Sequence, residues 1–420
     1  MSRKAPPPPD ASVLGKRREP LFEVKVHVVT PLFGGSANTG EVDSELPIRA
    51  ASIRGHLRFW WRACKGADYS SCGDLFKKEK SIWGSVKEPG AIEIVTQVES
   101  SGKRVPYKSM PKCLSYALFP FRGEASKKKE PADALEGVCF KLLLFGRYGN
   151  DLDKLKKEAE AALWAWLTFG GIGARTRRGC GSLFCSDSAF RPNGDVGEWL
   201  KQKASSYVTG SQGQTMIPLL LGAQILWGSE SSISDAWSNA VKVMEDFRQG
   251  VGFARNKGSD SGRPGRSRWP EADSIREIEK KWDFNHTPKH PARPFYPRAD
   301  LGLPIVFHFQ SKKDPSDHTL EAACDGATRM ASPIILKPLA LSENNAVPMV
   351  VVLNAPHVWD SGVPGVRFQG QQEPIPLDQL NNPQKAEQTQ PLKQFSAQNA
   401  RDAFVEFVKK EKRFKGEVRL

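Results

Sequence analysis

The chain reads as an α+β protein with antiparallel sheets. Three observations predict this. Phe22, Val24, Val26 and Val28 alternate with Glu23, Lys25 and His27, the period of a half-buried strand. Ile53, Leu57, Trp60, Trp61 and Cys64 then recur at helical spacing. The order strand, helix, two strands, helix follows over residues 22–169, which is the pattern of a split βαβ, or ferredoxin-like, unit.

Residues 1–20, with four successive prolines and Lys16-Arg17-Arg18, predict a flexible tail. The first strand ends at Thr30-Pro31, and a Gly-, Ser- and Asn-rich loop follows. Ser52 is the expected N-cap of the helix SIRGHLRFWWRACKGA. Residues 91–98 and 140–146 read as strands and 154–169 as a helix, and the loop with Lys127-Lys128-Lys129 as mobile. A second half begins near Ser211, giving a tail (1–20), a first unit (21–210) and a second unit (211–420). In it, residues 233–247 have helical periodicity, and 304–309, 332–341 and 349–354 read as strands. Residues 370–394 read as a loose connection and 397–410 as an amphipathic helix with Ala403, Phe404 and Phe407 inward.

The 420 residues carry 61 Lys+Arg against 47 Asp+Glu, a net charge of +14. Such a surplus suits a polyanion, either nucleic acid or an anionic membrane surface; an inert basic surface is the plain alternative that charge alone leaves open. No apolar run reaches the ~20 residues of a membrane span, and the N-terminus lacks the apolar core of a secretory signal. Seven scattered cysteines predict no disulfide framework, and a reducing cytoplasm is the expected location. Cys180 and Cys185, like His286 and His290, lack the spacing of a zinc site, so neither metal nor cofactor is expected.

The surplus concentrates in three places. Arg54, Arg58 and Arg62 recur every four residues, and such like charges weaken a helix unless anions sit among them. A solvated helix face is the plainer alternative. In FGGIGARTRRGCGSLFCS, Gly170, Gly171, Gly173, Gly179 and Gly181 bracket Arg175, Arg177 and Arg178. Glycines expose backbone N–H groups, and those beside arginines suit phosphate oxygens. The loop follows a helix and has no Gly-Lys-Ser/Thr, so it is neither a Rossmann turn nor a Walker loop. Between Phe253 and Trp269 stand Arg255, Lys257, Arg263, Arg266 and Arg268 against Asp260, with Trp269 as a stacking face. The alternative there is a solvated linker.

The segments VTPLFGGSANTGE, IRAASIRGHLRFWWRA, FGGIGARTRRGCGSL and RMASPIILKP resemble the RAMP superfamily of CRISPR proteins. Within it they resemble the first-subunit family of the type III-B (Cmr) effector. The resemblance implies two ferredoxin-like, RRM-related domains and a non-catalytic, RNA-binding subunit of an RNA-guided antiviral complex. It implies guide RNA, target RNA and other RAMP subunits as partners, near the guide's 3′ region, with no membrane. The residues it puts on RNA are Arg54, Arg58, Arg62, Gly171, Gly173, Arg175, Arg177, Arg178, Gly179, Arg266, Arg268, Trp269 and Lys337, with Arg329 and Ser332 beside them. Contacts to phosphate and 2′-OH would suit a protein that must accept any guide. Two alternatives stay open: a guide-processing endoribonuclease, with His56 or His27 as base, and a scaffold with incidental RNA binding.

Overall fold

The structure, a computed structural model, describes residues 18–36, 38, 40–124, 129–147, 149–211, 216–258 and 264–420. The first 17 residues of the tail, Lys127-Lys128, Asp260 and Arg263 lie outside the described residues. The main strands are β1 (Phe22–Val28), β2 (Ile92–Val105), β3 (Ala134–Gly146), β4 (Leu183–Cys185), β5 (Leu219–Gly228), β6 (Ile334–Ala340), β7 (Asn345–Asn354) and β8 (Phe414–Arg419). The longer helices are α1 (Ala50–Lys65), α2 (Cys72–Trp83), α3 (Leu152–Phe169), α4 (Val196–Tyr207), α5 (Ile233–Gln249), α6 (Glu271–Glu279) and α7 (Ala400–Lys410).

The first sheet runs β4-β1-β3-β2, every neighbour antiparallel. The alternation in β1 does what its period predicts: Val24, Val26 and Val28 are buried, and Glu23 and Lys25 are exposed. The second sheet runs β8-β5-β7-β6, again antiparallel. The two sheets share one order and one sequence of connections, in which α1 and α3 serve the first and α5 and α7 the second.

Packing explains why the second-half strands read as unbroken apolar runs. One cluster joins Val26 and Leu142 of the first sheet, Leu57, Trp61 and Trp166 of α1 and α3, and Ile335, Leu339 and Val351 of the second sheet. A second cluster joins Ile334, Leu336 and Val350, on the opposite face of that sheet, to Phe247 of α5 and Phe404 and Phe407 of α7. The second sheet is thus covered on both faces, so alternation vanishes. α3 lies between the two sheets, and all residues from Ala161 to Phe169 are buried.

Several expectations need correction. The cap of α1 is Arg49, without a side-chain bond, and not Ser52; the helix begins three residues earlier. α2 went unread, although Ser71 caps it through the Asp74 N–H at 3.1 Å. The 370–394 segment is not wholly loose, because Pro383–Gln388 and Gln390–Lys393 are short helices that bury Ala386 and Leu392. Between α5 and β6 lie the hairpin Arg255–Lys257/Pro264–Ser267, α6, and two strands of a small three-stranded sheet completed by Val366–Phe368.

Lys337 corrects another expectation. It shares a face of β6 with Ile335 and Leu339, the face toward α3, and is 0% exposed. Its ammonium donates to Thr168 O at 2.9 Å and Gly170 O at 2.6 Å, the last carbonyls of α3 and its cap. It fastens the second sheet to the helix end and offers nothing to an outside ligand. Burial pushes its pKa down to about 7 from 10.5. Between those values the unfolded chain holds a proton that the folded chain lacks, so folding stability rises with pH across pH 7 to 10.5. Melting curves from pH 7 to 10 should therefore show wild type gaining stability relative to Lys337→Met. A constant difference between the two would contradict this assignment.

Candidate functional site

The Gly-rich loop runs from the end of α3 to β4, between the two sheets. Much of its backbone is bonded inside the protein. Ile172 N–H donates to Gly181 O at 2.9 Å, Ala174 N–H to Phe33 O at 2.7 Å and Gly181 N–H to Pro31 O at 3.1 Å. Thr30 Oγ1 accepts from Ser182 N–H at 2.8 Å and donates to Gly179 O at 2.7 Å. Gly179 has φ +84°, and a Cβ there would stand 2.3 Å from Trp237 Nε1 of α5. Trp237 in turn donates to Arg178 O at 2.6 Å. Gly171 is buried, and a Cβ there would meet Gly181 O at 2.8 Å. These two glycines admit the protein's own neighbours, which corrects the expectation that they open the backbone to a partner. Gly173 is exposed, yet a Cβ there would also meet a chain atom, Phe33 O at 2.6 Å.

The arginines of this loop are different. All three are half-buried. Arg177 donates to Ser332 O and lies over the Phe59 ring at 5.4 Å. Arg178 donates to Ile334 O at 2.9 Å. Arg175, in a left-handed conformation (φ 57°), lies over the Phe119 ring at 5.2 Å and donates no hydrogen bond to any described residue. Arg248 of α5 reaches Tyr116 Oη at 3.2 Å and is close enough to Arg178 for mutual repulsion. None of these four meets a carboxylate among the described residues. Burial pushes Arg177 and Arg178 down to about 10, so both stay charged at neutral pH. The result is a cluster of positive charge without counter-charge among the described residues, at the seam where the Gly-rich loop meets β6.

The α1 stripe divides. Arg58 Nε and Arg62 Nη1 both reach Glu79 Oε1 of α2, at 2.5 Å each. Glu79 is 3% exposed. The anion that the stripe calls for is supplied from within, by a residue the sequence reading missed because α2 was unread. Arg54 is exposed and pairs with no described residue. The basic segment near Trp269 is corrected further. Trp269 is 1% exposed and packs edge-on against Phe247, with Arg298 over it at 5.4 Å, so it presents no face to a base. Arg266 is held by Asp273 at 2.7 Å and by Thr287 O. Arg268 donates to Asn256 Oδ1 at 2.8 Å and Gly252 O at 2.7 Å, and pairs with no acid among the described residues. Arg329 is exposed, and Ser332 serves the seam through its carbonyl.

His56 is half-buried and parallel to Trp166, with ring centroids 6.2 Å apart, and burial lowers its pKa. His27 has Glu343 Oε2 3.4 Å from its Nδ1. His286 pairs with Asp314 at 2.6 Å, whereas His290 meets Arg268 O. Among the described residues no group of three His, Cys, Asp or Glu could hold a metal, and no helix is long and apolar enough to cross a membrane.

Residues 25–184 match the sequence profile of the RAMP superfamily. This segment is similar to the RAMP superfamily. It holds β2 and β3, most of β1 and β4, the helix with Arg54 and the whole Gly-rich loop. The chain is 30% identical over 143 residues to the CRISPR system Cmr subunit Cmr1-1 of Pyrococcus furiosus, a match covering 32% of this chain and 40% of that protein's length. It is 27% identical over 187 residues to Cmr1-2 of the same organism, covering 39% of this chain and 94% of the relative. Among solved structures, apo Cmr1 from Pyrococcus furiosus aligns at 18% identity and a TM-score of 0.46, over 83% of this chain and 93% of that one. A type III-B Cmr-β structure bound to cognate target RNA aligns at 14% identity and 0.40, over 79% and 94%.

The arginines of the RAMP region separate into structural and free ones, and stability measurements can tell them apart. Glu79→Ala leaves two half-buried guanidinium groups facing an empty site and is expected to cost about 3 kcal/mol or more. Arg54→Ala is expected to change stability by less than about 0.5 kcal/mol. Denaturant titration of the two variants checks this; equal losses would show that Arg54 too is a structural residue.

Proposed function

We propose that the chain is an RNA-binding, non-catalytic subunit of a type III-B CRISPR effector. In this reading it sits in a cytoplasmic ribonucleoprotein beside other RAMP subunits and contacts guide RNA, target RNA or both near the guide's 3′ region. The observation that carries the reading is the seam cluster: Arg175, Arg177, Arg178 and Arg248 gathered without a carboxylate among the described residues. A polyphosphate chain supplies the missing charge and, by releasing counterions, gains affinity in any sequence context. The RAMP region and the Cmr subunit relatives support the same reading. The repeated strand order β4-β1-β3-β2 and β8-β5-β7-β6 supports two ferredoxin-like units. The non-catalytic part rests on the two candidate bases: His56 lies against Trp166 and hydrogen-bonds no carboxylate among the described residues, and the Glu343 carboxylate 3.4 Å from His27 Nδ1 is exposed, so neither has the buried partner that orients a general base.

Arg54→Ala/Arg175→Ala removes the two proposed contact arginines that hydrogen-bond no described residue, and so leaves the hydrogen bonds of the seam in place. Affinity for unrelated single-stranded RNAs should fall by a similar factor for each, and the salt slope should flatten by about 0.7 per lost phosphate contact. Unchanged affinity would remove the seam from the RNA path, and metal-free cleavage of guide-repeat RNA that His56→Ala abolishes would favour the endoribonuclease.

A further inference from the structure

We infer that Phe119, with Arg175 and Tyr116, forms a station for one unstacked nucleotide of single-stranded RNA. This inference deepens the RNA-binding reading above and rests on it. The station draws on a segment that the motif-bearing sequence did not single out. Short 3-10 turns and one helical turn between Tyr107 and Phe121 pack against α5 and put Tyr116 and Phe119 beside the Gly-rich loop.

Phe119 is 53% exposed, unusual for so large an apolar side chain. Its neighbours in the same turn, Leu118 and Phe121, are buried. The guanidinium of Arg175 covers one face of the ring at 5.2 Å. That guanidinium has five N–H donors and gives none of them to a described residue. Its Nε is closed to solvent, so the donors left for a ligand are those at the guanidinium tip. Tyr116 Oη accepts from Arg248 Nη1 at 3.2 Å, and its own proton has no acceptor among the described residues. An open ring, an unused guanidinium fork and an unused phenol donor thus sit together at the edge of the uncompensated cluster.

Their chemistry matches one nucleotide. A base stacks on the free ring area, while its phosphate accepts from Arg175 and Tyr116. A base within a duplex is already stacked on both sides and cannot use the ring. Phosphate contacts alone accept single and double strands alike. The station therefore gives the seam a preference for unpaired RNA.

The test uses the full chain with a labelled single-stranded 12-mer RNA and a blunt duplex of the same sequence, against Phe119→Ala, Phe119→Trp and Arg54→Ala/Arg175→Ala. Phe119→Ala should weaken single-strand binding about ten- to a hundredfold and leave duplex affinity within about twofold. Phe119→Trp should restore the preference, and melting temperatures show whether each variant is folded. Single-strand affinity unchanged in Phe119→Ala, as expected if the ring docks a protein partner instead, overturns the station, and so does an equal loss on both RNAs. The double arginine variant reads the parent proposal separately, because it weakens both RNAs if the seam binds backbone, whatever Phe119 does.

Discussion

The organisation of this chain depends on basic side chains that bond to main-chain carbonyls. Lys337 holds the end of α3 through Thr168 O and Gly170 O, and Arg177 and Arg178 reach Ser332 O and Ile334 O beside it. A carbonyl accepts a hydrogen bond without cancelling a charge. The two sheets are therefore tied together where positive charge accumulates. Elsewhere the protein solves the same problem with acids: Arg276 has Asp314, Arg298 has Glu271, Arg401 has Asp300 and Arg367 has Glu321. The contrast gives the net charge of +14 a location. Burial without a counter-ion is costly, so a seam built this way points to an anion that is not part of the chain.

The tie also accounts for the glycines. The loop must pass between Trp237, Phe33 and the start of β4 while its arginines reach β6. Gly179 and Gly181 would each bring a Cβ within 2.3 Å of another atom. Their role is to let the loop close on the second unit, and the arginines then stand where that closure puts them. Backbone glycine and side-chain arginine thus have separate tasks, which the sequence merges into one motif.

The fold was legible where local periodicity met a single environment. The alternation in β1 and the apolar face of α1 read directly, since each has one buried side. β6 and β7 gave unbroken apolar runs because both faces are covered, and only strand length separated them from helix. α2 was lost because its buried face is short and includes Glu79. The site was legible only in part. Arg175, Arg177 and Arg178 stand at the seam as a group, whereas Arg58, Arg62 and Arg266 are matched by acids 21, 17 and 7 residues away in the chain. A sequence shows how many charges a segment carries but not which are neutralised from a distance. Trp269 was misread for a related reason: the basic residues around it suggested a surface, while Phe247 and Arg298 enclose it.

In the proposed reading, the charge pattern favours recognition of backbone over sequence, and the rim of the seam is the place for unpaired RNA. The most direct test is a cryo-EM structure of the chain bound to RNA. The account predicts phosphate oxygens within ~3 Å of the Arg175 guanidinium, with the strand continuing past Arg54 along the seam between the Gly-rich loop and β6. RNA that follows another face, with the seam open to solvent or covered by protein, would contradict it.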